Sequence, residues 1–473
     1  MPEPLVDQLA GFATAADTAA LPAAVVSESK RILLDSLGCA VASHGERGAD
    51  IAVRYAQVLG GHADEASIIG TDLRTTQLGA AFANAELINA LDQDAVLPPG
   101  HVTPYVLPGA LAAAEAGGVP GARLLAAIAV SHEISYRIGK ATDYLRDMKD
   151  GVVTIPPVIG YSSTIFGAAA AIGVTRGYER ETVADALGIA GSTVPVNAQR
   201  AWMMHAPATT IKYQLAGGMA WTALTAASLA EFGHRGDRRI LDDAEYGFPR
   251  FIGTKRWVPE PITDGLGSDW RFTAEQAFKP YPHCRVMHGI FDALTEIVDT
   301  HDLKPDEIES ITAYGESFVQ QPTWVNTDVT EARDAEFSMT HGLAVAAHRV
   351  PPGKDWLAPE LVRSESVLAL MNRSRFEPHP DFTDALSGHV SARPSRVEVT
   401  AHGETHVGER NFPKGVSSPD PSTYMTDDEL AAKFRHNVAG VLSDADAEAV
   451  VAAVTDLENV DDVRVIMERL RPA

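Results

Sequence analysis

The chain has 473 residues, 45% hydrophobic and 22% charged, with 38 Gly, 29 Pro and two cysteines, Cys39 and Cys284. Its formal charge is −24, from 39 Lys+Arg against 63 Asp+Glu. This balance is that of a globular protein and excludes a disordered chain, a collagen or a disulfide scaffold; without a clustered basic surface, nucleic acid and anionic membranes are not expected partners.

At about 100–200 residues per domain the length predicts two to four domains, or one large domain with an insertion. The N-terminus lacks a basic segment followed by an apolar core, and no apolar run reaches the roughly 18 residues of a membrane span. With only two distant cysteines, a reduced, cytoplasmic setting is expected. The Asn372-Arg-Ser374 triplet is then a chance glycosylation pattern.

In chain order, apolar spacing predicts helices over Ala23–Ser43, Thr76–Asp92, Ala110–Gly117, Arg123–Gly139, Tyr161–Gly173, Glu181–Ala190 and Thr210–Phe232. The run Phe166-Gly-Ala-Ala-Ala-Ala-Ile172 is so rich in small residues that its helix must be buried on several sides. From about residue 270 the texture changes. Helical patterns at Val286–Val298 and Ala335–His348 are interleaved with β-type alternation at Glu309–Gly315 and Arg396–Val407, the latter a hairpin turning at His402-Gly403. After the loop Phe412–Ser422, helices return at Thr426–Leu442, opened by the capping box Thr426-Asp-Asp-Glu429, and at Ala445–Thr455. The expected fold is mainly α: a helical bundle from residues 1–270 and 409–473, with a smaller α+β lid inserted at 271–408.

Four stretches concentrate ionisable groups beside Gly or Pro. In the first, Asp92 and Asp94 end a helix and Pro98-Pro99-Gly100 turns the chain to present His101. Solvated helix-end acids, a cleft mouth and an oxygen-ligand metal pair all fit this spacing. In the second, Lys212 falls in the predicted first turn of a helix, where the dipole repels cations; an anion between Lys212 and the helix start would explain it, as would snorkelling to water. The third, Phe278-Lys-Pro-Tyr-Pro-His-Cys-Arg285, carries Lys279, Tyr281, His283, Cys284 and Arg285 and suits a carboxylate ligand; a domain hinge is the alternative, and Cys284 reads as a packed small residue. In the fourth, His402, Glu404 and His406 would share a strand face as metal ligands if the turn at Gly403 did not break the alternation.

Together these stretches resemble the MmgE/PrpD family, which includes 2-methylcitrate dehydratase, cis-aconitate decarboxylase and iminodisuccinate epimerase activities. The similar segments run in order: Leu33–Cys39, Asn84 to His101, Phe166–Ala170, Ile211–Gly217 with Ala230–Gly233, Phe278–Cys284, Asp334–Ser338 and Asp427–Phe434. The resemblance implies a helical domain with an α+β lid, a homodimer, no cofactor, and a site between the two parts acting on a small carboxylate. It assigns catalytic roles to Asp92, His101, Lys212 and Lys279, and substrate contacts to Asp94, Tyr213, Tyr281, His283, Cys284 and Arg285, with no metal.

Several positions depart from the family pattern. The acidic motif reads Asp92-Gln93-Asp94-Ala95-Val96 where D-F-D-D-T is usual. Asn89 replaces a histidine, a second histidine falls near Pro157-Val158, and Tyr213 replaces a basic residue. The expected activity is therefore a cofactor-independent lyase of the dehydratase type, acting through a carbanion- or enolate-like intermediate on a substrate less polar than methylcitrate. Decarboxylation and epimerisation are the alternatives on the same site, and a non-catalytic relative is the alternative of another class.

Overall fold

The computed structural model describes residues 2–60, 63–142, 147–149, 152–154, 160–196, 201–316, 320–382 and 389–473. Pro157 and Val158 lie outside them. The fold is mainly α-helical. The predicted helix over Ala23–Ser43 spans Ala23–Ala42, and the one over Thr76–Asp92 spans Gln77–Asn89, its Thr76 hydroxyl accepting the Gly79 amide as an N-cap. The small-residue helix Thr164–Arg176 is central: it packs against Thr103–Gly117, Gly121–Ala141, Arg180–Thr193 and Ala216–Glu231, and residues 164–173 are all buried. Small side chains let these backbones approach closely, which is why so few large residues fill this core.

Some boundaries differ from the sequence reading. The helix predicted from Ala110 begins at Thr103, because Pro104 occupies the first turn, where its missing N–H has no intrahelical role. The helix predicted from Thr210 begins only at Ala216, since Tyr213 at φ +41° lies outside the right-handed helical region. Lys212 therefore sits in an irregular segment before the helix, and its conflict with a helix dipole disappears. The helices Leu5–Ala15 and Arg47–Gly60 and the strand Ser374–Pro378 were not anticipated.

The larger sheet has four strands in the order Glu404–Arg410, Ser395–Ala401, Ile308–Gly315, Ser374–Pro378, the last pair parallel and the others antiparallel. Ser395–Ala401 alternates buried and half-buried residues, so Val397, Val399 and Ala401 face the helix His288–Thr300 that covers the sheet. The predicted hairpin turns at His402 (φ +53°) and Gly403 (φ +77°), the left-handed pair that matches strand twist. Farther on, the helix Asp427–Val438 has both capping-box bonds at Thr426 and Glu429 and packs along Ala23–Ala42. Asp35 and Lys433, on these two helices, meet beside the Asp92 turn, where they bind the Ala95 amide and the Gln93 carbonyl.

Candidate active site

The site is built around one buried carboxylate. Beyond Asn89 the chain leaves the helix through Asp92, at φ +50°, its amide returning to the Asn89 carbonyl at 3.2 Å. The chain then forms a two-stranded ribbon, Val96–Leu97 with Gly100–His101, which turns His101 back over Asp92. A Cβ on Gly100 would lie 2.4 Å from the Tyr161 ring, so glycine is required for Tyr161 to close on the ribbon. The Lys279 segment is laced to the same ribbon. Val96 and Ala277 exchange amide bonds of 2.8 and 2.9 Å, and the Gln93 side chain donates to the Pro280 carbonyl at 2.8 Å.

These connections converge on Asp92, which is fully buried. Lys279 Nζ donates to its Oδ2 at 2.5 Å; Lys212 Nζ and the Tyr213 hydroxyl donate to Oδ1 at 3.0 and 3.1 Å. His101 Nε2 lies 3.3 Å from Oδ1, and His101 Nδ1 is 2.7 Å from Asp94 Oδ2. Burial pushes the Asp92 carboxyl toward its neutral form, but Lys212, Lys279 and His101 outweigh it and hold the group well below the usual carboxylate range. Asn89, in the place of the family's histidine, donates to Asp94 Oδ1 at 3.1 Å and so helps fix the acid that orients His101.

Lys212 also donates to Glu336 Oε1 at 2.7 Å. Glu336 binds Arg333, whose guanidinium reaches Glu46 at 3.3 Å, so a buried chain of alternating charges backs the lysine. Burial raises the Glu336 carboxyl, against the pull of Arg333 and Lys212. Tyr213 lies with its ring centroid 4.7 Å from that of His101 and 5.4 Å from that of Tyr161. Burial, reinforced by Asp92, raises both phenols, which stay protonated at neutral pH.

A cavity of about 100 Å³ opens beside this cluster. Its polar side is Asp92, His101 and Lys279; Tyr161, Met203, Val286 and Trp324 make an apolar wall, and Arg285 and Arg393 stand on the lining with Cys284. Lys212 touches Asp92 from the opposite side and lines a smaller neighbouring recess with Glu46, Glu86 and Arg333.

The residues assigned from the sequence thus fall into three groups. Asp92, His101, Lys212, Lys279 and Tyr213 form one contact cluster, with Asp94 directly behind His101. Cys284 and Arg285 line the cavity; burial, then Asp92, pushes the Cys284 thiol up to about 11, so it is not an activated nucleophile. Tyr281 and His283 point away. The Tyr281 hydroxyl donates to Asp292 at 2.9 Å, and His283 packs under the Ser338 carbonyl at 3.2 Å, its imidazole lowered by burial to about 4. The supposed ligands of the fourth stretch do not converge: His406 stacks on His301 at 3.8 Å, and His402 sits at the exposed turn, 3.9 Å from Glu307. Among the described residues no group of three His, Cys, Asp or Glu side chains could hold a metal ion.

Sequence reasoning did not assign Glu336, Arg333, Tyr161, Trp324 or Arg393 to the site. Glu336 lies inside the Asp334–Ser338 segment that carried the resemblance, so its position was visible while its partners were not.

The model of the MmgE/PrpD N-terminal domain matches residues 7–259, and that of the C-terminal domain matches residues 281–459. A cis-aconitate decarboxylase-like protein, oryM, of Aspergillus oryzae is 25% identical over 96% of this chain and 95% of its own length. The cis-aconitate decarboxylases of Mus musculus and Homo sapiens are 24% and 25% identical, each over 94% of this chain and over 89% and 90% of their own lengths. With its two domain models covering nearly the whole sequence, the chain belongs to the MmgE/PrpD family.

Proposed function

We infer that the protein is a cofactor-independent lyase that cleaves a bond beside a carboxylate of a small di- or tricarboxylic acid, with decarboxylation as the favoured reaction. The observation that carries this reading is the convergence of His101 and Lys279 on Asp92 at the wall of one cavity. The names of the similar decarboxylases support carbon–carbon over carbon–oxygen cleavage.

In such a reaction the C–C bond to the departing carboxylate breaks and CO₂ leaves. The electron pair stays on carbon and spreads into the neighbouring unsaturated carboxylate. Lys279, held against Asp92 in the free protein, turns its charge toward that carboxylate and stabilises the developing enolate. His101 faces the cavity through Nε2 and delivers the proton that quenches the carbanion, while Asp94 holds Nδ1 and fixes the ring. The second carboxylate would be met by Arg285 or Arg393 across the apolar wall, which suits a substrate less polar than methylcitrate.

Dehydration is the second reading, supported by the protonated Tyr161 phenol on the same lining, a proton donor for a departing hydroxide. From the family resemblance we also read the protein as a homodimer, and from its two distant cysteines as cytoplasmic. The test is incubation with di- and tricarboxylates in deuterated water, followed by NMR. Decarboxylation gives CO₂ and a product with one deuterium on a carbon of the delocalised carbanion; dehydration gives an alkene without loss of carbon. His101→Gln should lower kcat by about 10²–10⁴. Full turnover by that variant, or no conversion of any acid tested, defeats the assignment.

A further inference from the structure

We propose that Lys433, on the C-terminal helix Asp427–Val438, acts with Asp35 as a positioning pair that brackets Asp94 and thereby sets the orientation of His101; the lyase reading gives that orientation its purpose.

The geometry is specific. Lys433 Nζ donates to Asp35 Oδ1 at 2.5 Å and to the Gln93 carbonyl at 2.8 Å. The other oxygen of Asp35 accepts the Ala95 amide at 3.1 Å. One ion pair therefore grips the peptide groups on both sides of Asp94: the carbonyl before it and the amide after it. Both side chains are buried, Asp35 at 2% and Lys433 at 8% exposure.

The side chain of Gln93, fully buried, is fixed as well. It donates to Pro280 and accepts from Asn437 Nδ2 at 3.0 Å, one helical turn beyond Lys433. The Asp92 turn needs such restraint, because a non-glycine residue at φ +50° persists only where its surroundings enforce it. Asp94, in turn, touches His101 Nδ1 at 2.7 Å. With Nδ1 held against Asp94, Nε2 is aimed at Asp92 Oδ1, 3.3 Å away, and at the cavity, so the grip on Asp94 selects one ring orientation.

A buried charge pair is weak grounds for stability, since its desolvation offsets its attraction; fixing one geometry is the better-attested use. Neither Asp35 nor Lys433 lines the cavity beside His101. They are positioning residues, acting through Asp94.

The test reads His101 itself. Histidine-labelled protein, with the His101 signal assigned by its loss in His101→Gln, is followed by ring ¹⁵N NMR in three forms: wild type, the near-isosteric Asp35→Asn, and Asp35→Leu/Lys433→Met, which leaves no unpaired charge. In wild type His101 gives one sharp pair of ring-nitrogen signals, as for a single ring orientation; in both variants these signals shift or split. On a converted substrate, kcat falls about tenfold or more while KM stays within about threefold, as expected for a misplaced catalytic group. Circular dichroism and the melting transition verify the fold. Folded variants with unchanged His101 shifts overturn the proposal, as does loss of the fold in both variants, which would make the pair a structural strut. The NMR readout needs no substrate, so failure of the lyase reading and failure of this proposal are distinguishable.

Discussion

Asp92→Asn is the substitution that probes the site most directly. It removes the negative charge from between two ammonium groups, at 3.0 and 2.5 Å, and keeps the shape of the side chain. At an effective dielectric of about 20, each contact is worth about 5–7 kcal/mol of gross attraction, from 332/εr. Desolvation of the three charges takes back most of this, and removing one member of a buried pair has a net effect of about 3–5 kcal/mol. At roughly 1–2 °C per kcal/mol for a chain of this length, the melting temperature should fall by about 3–10 °C. The pH dependence has a definite sign. The native carboxyl lies below its ordinary value of 3.8, so its contribution is fully present above that value and is lost only as pH falls through the native pKa. The gap between wild type and variant should therefore be flat from pH 7 to pH 5 and narrow only below about pH 4. Scanning calorimetry of both proteins across that range measures it. A variant as stable as wild type at pH 7, or a gap that widens on acidification, would refute the charge arrangement described for Asp92.

Other tests address separate features. His132 and His283 are held neutral by burial, with their imidazoles lowered to about 4, so the unfolded chain binds more protons between pH 6.5 and pH 4. Relative to His132→Gln or His283→Gln, wild-type stability should fall over that window by about 3 kcal/mol per histidine, and a difference between wild type and variant that stays constant from pH 6.5 to 4.5 would contradict it. Iodoacetamide at pH 7 should leave Cys39 and Cys284 unmodified in the folded protein by mass spectrometry, because both are buried thiols with raised pKa; rapid alkylation of Cys284 would point to an open, activated site. Thr426→Ala removes the cap of the Asp427–Val438 helix and should destabilise by about 1 kcal/mol in a denaturant titration, with turnover unchanged.

What the sequence determined by itself was local. Thr76, Thr426 and Ser443 each precede a helix and accept the amide of its third residue, and His402-Gly403 turns a hairpin because its conformation depends on two residues and their neighbours. Periodicity located most helices and the strands Ile308–Gly315 and Ser395–Ala401; it missed Ser374–Pro378, whose parallel partner lies more than 60 residues away. The family resemblance supplied the chemistry-bearing residues, and membership is shown by the domain models. Only the tertiary structure decided which of them meet. Lys212 and Lys279 reach Asp92 across 120 and 187 residues, and Lys433 reaches Asp35 across 398. Tyr281 and His283, on the same short segment as Lys279, turn elsewhere. Spacing along a chain fixes neighbours within a helical turn or a strand pair, whereas ion pairs between distant segments depend on how whole helices pack, and the burial that strengthens such contacts is absent until they do.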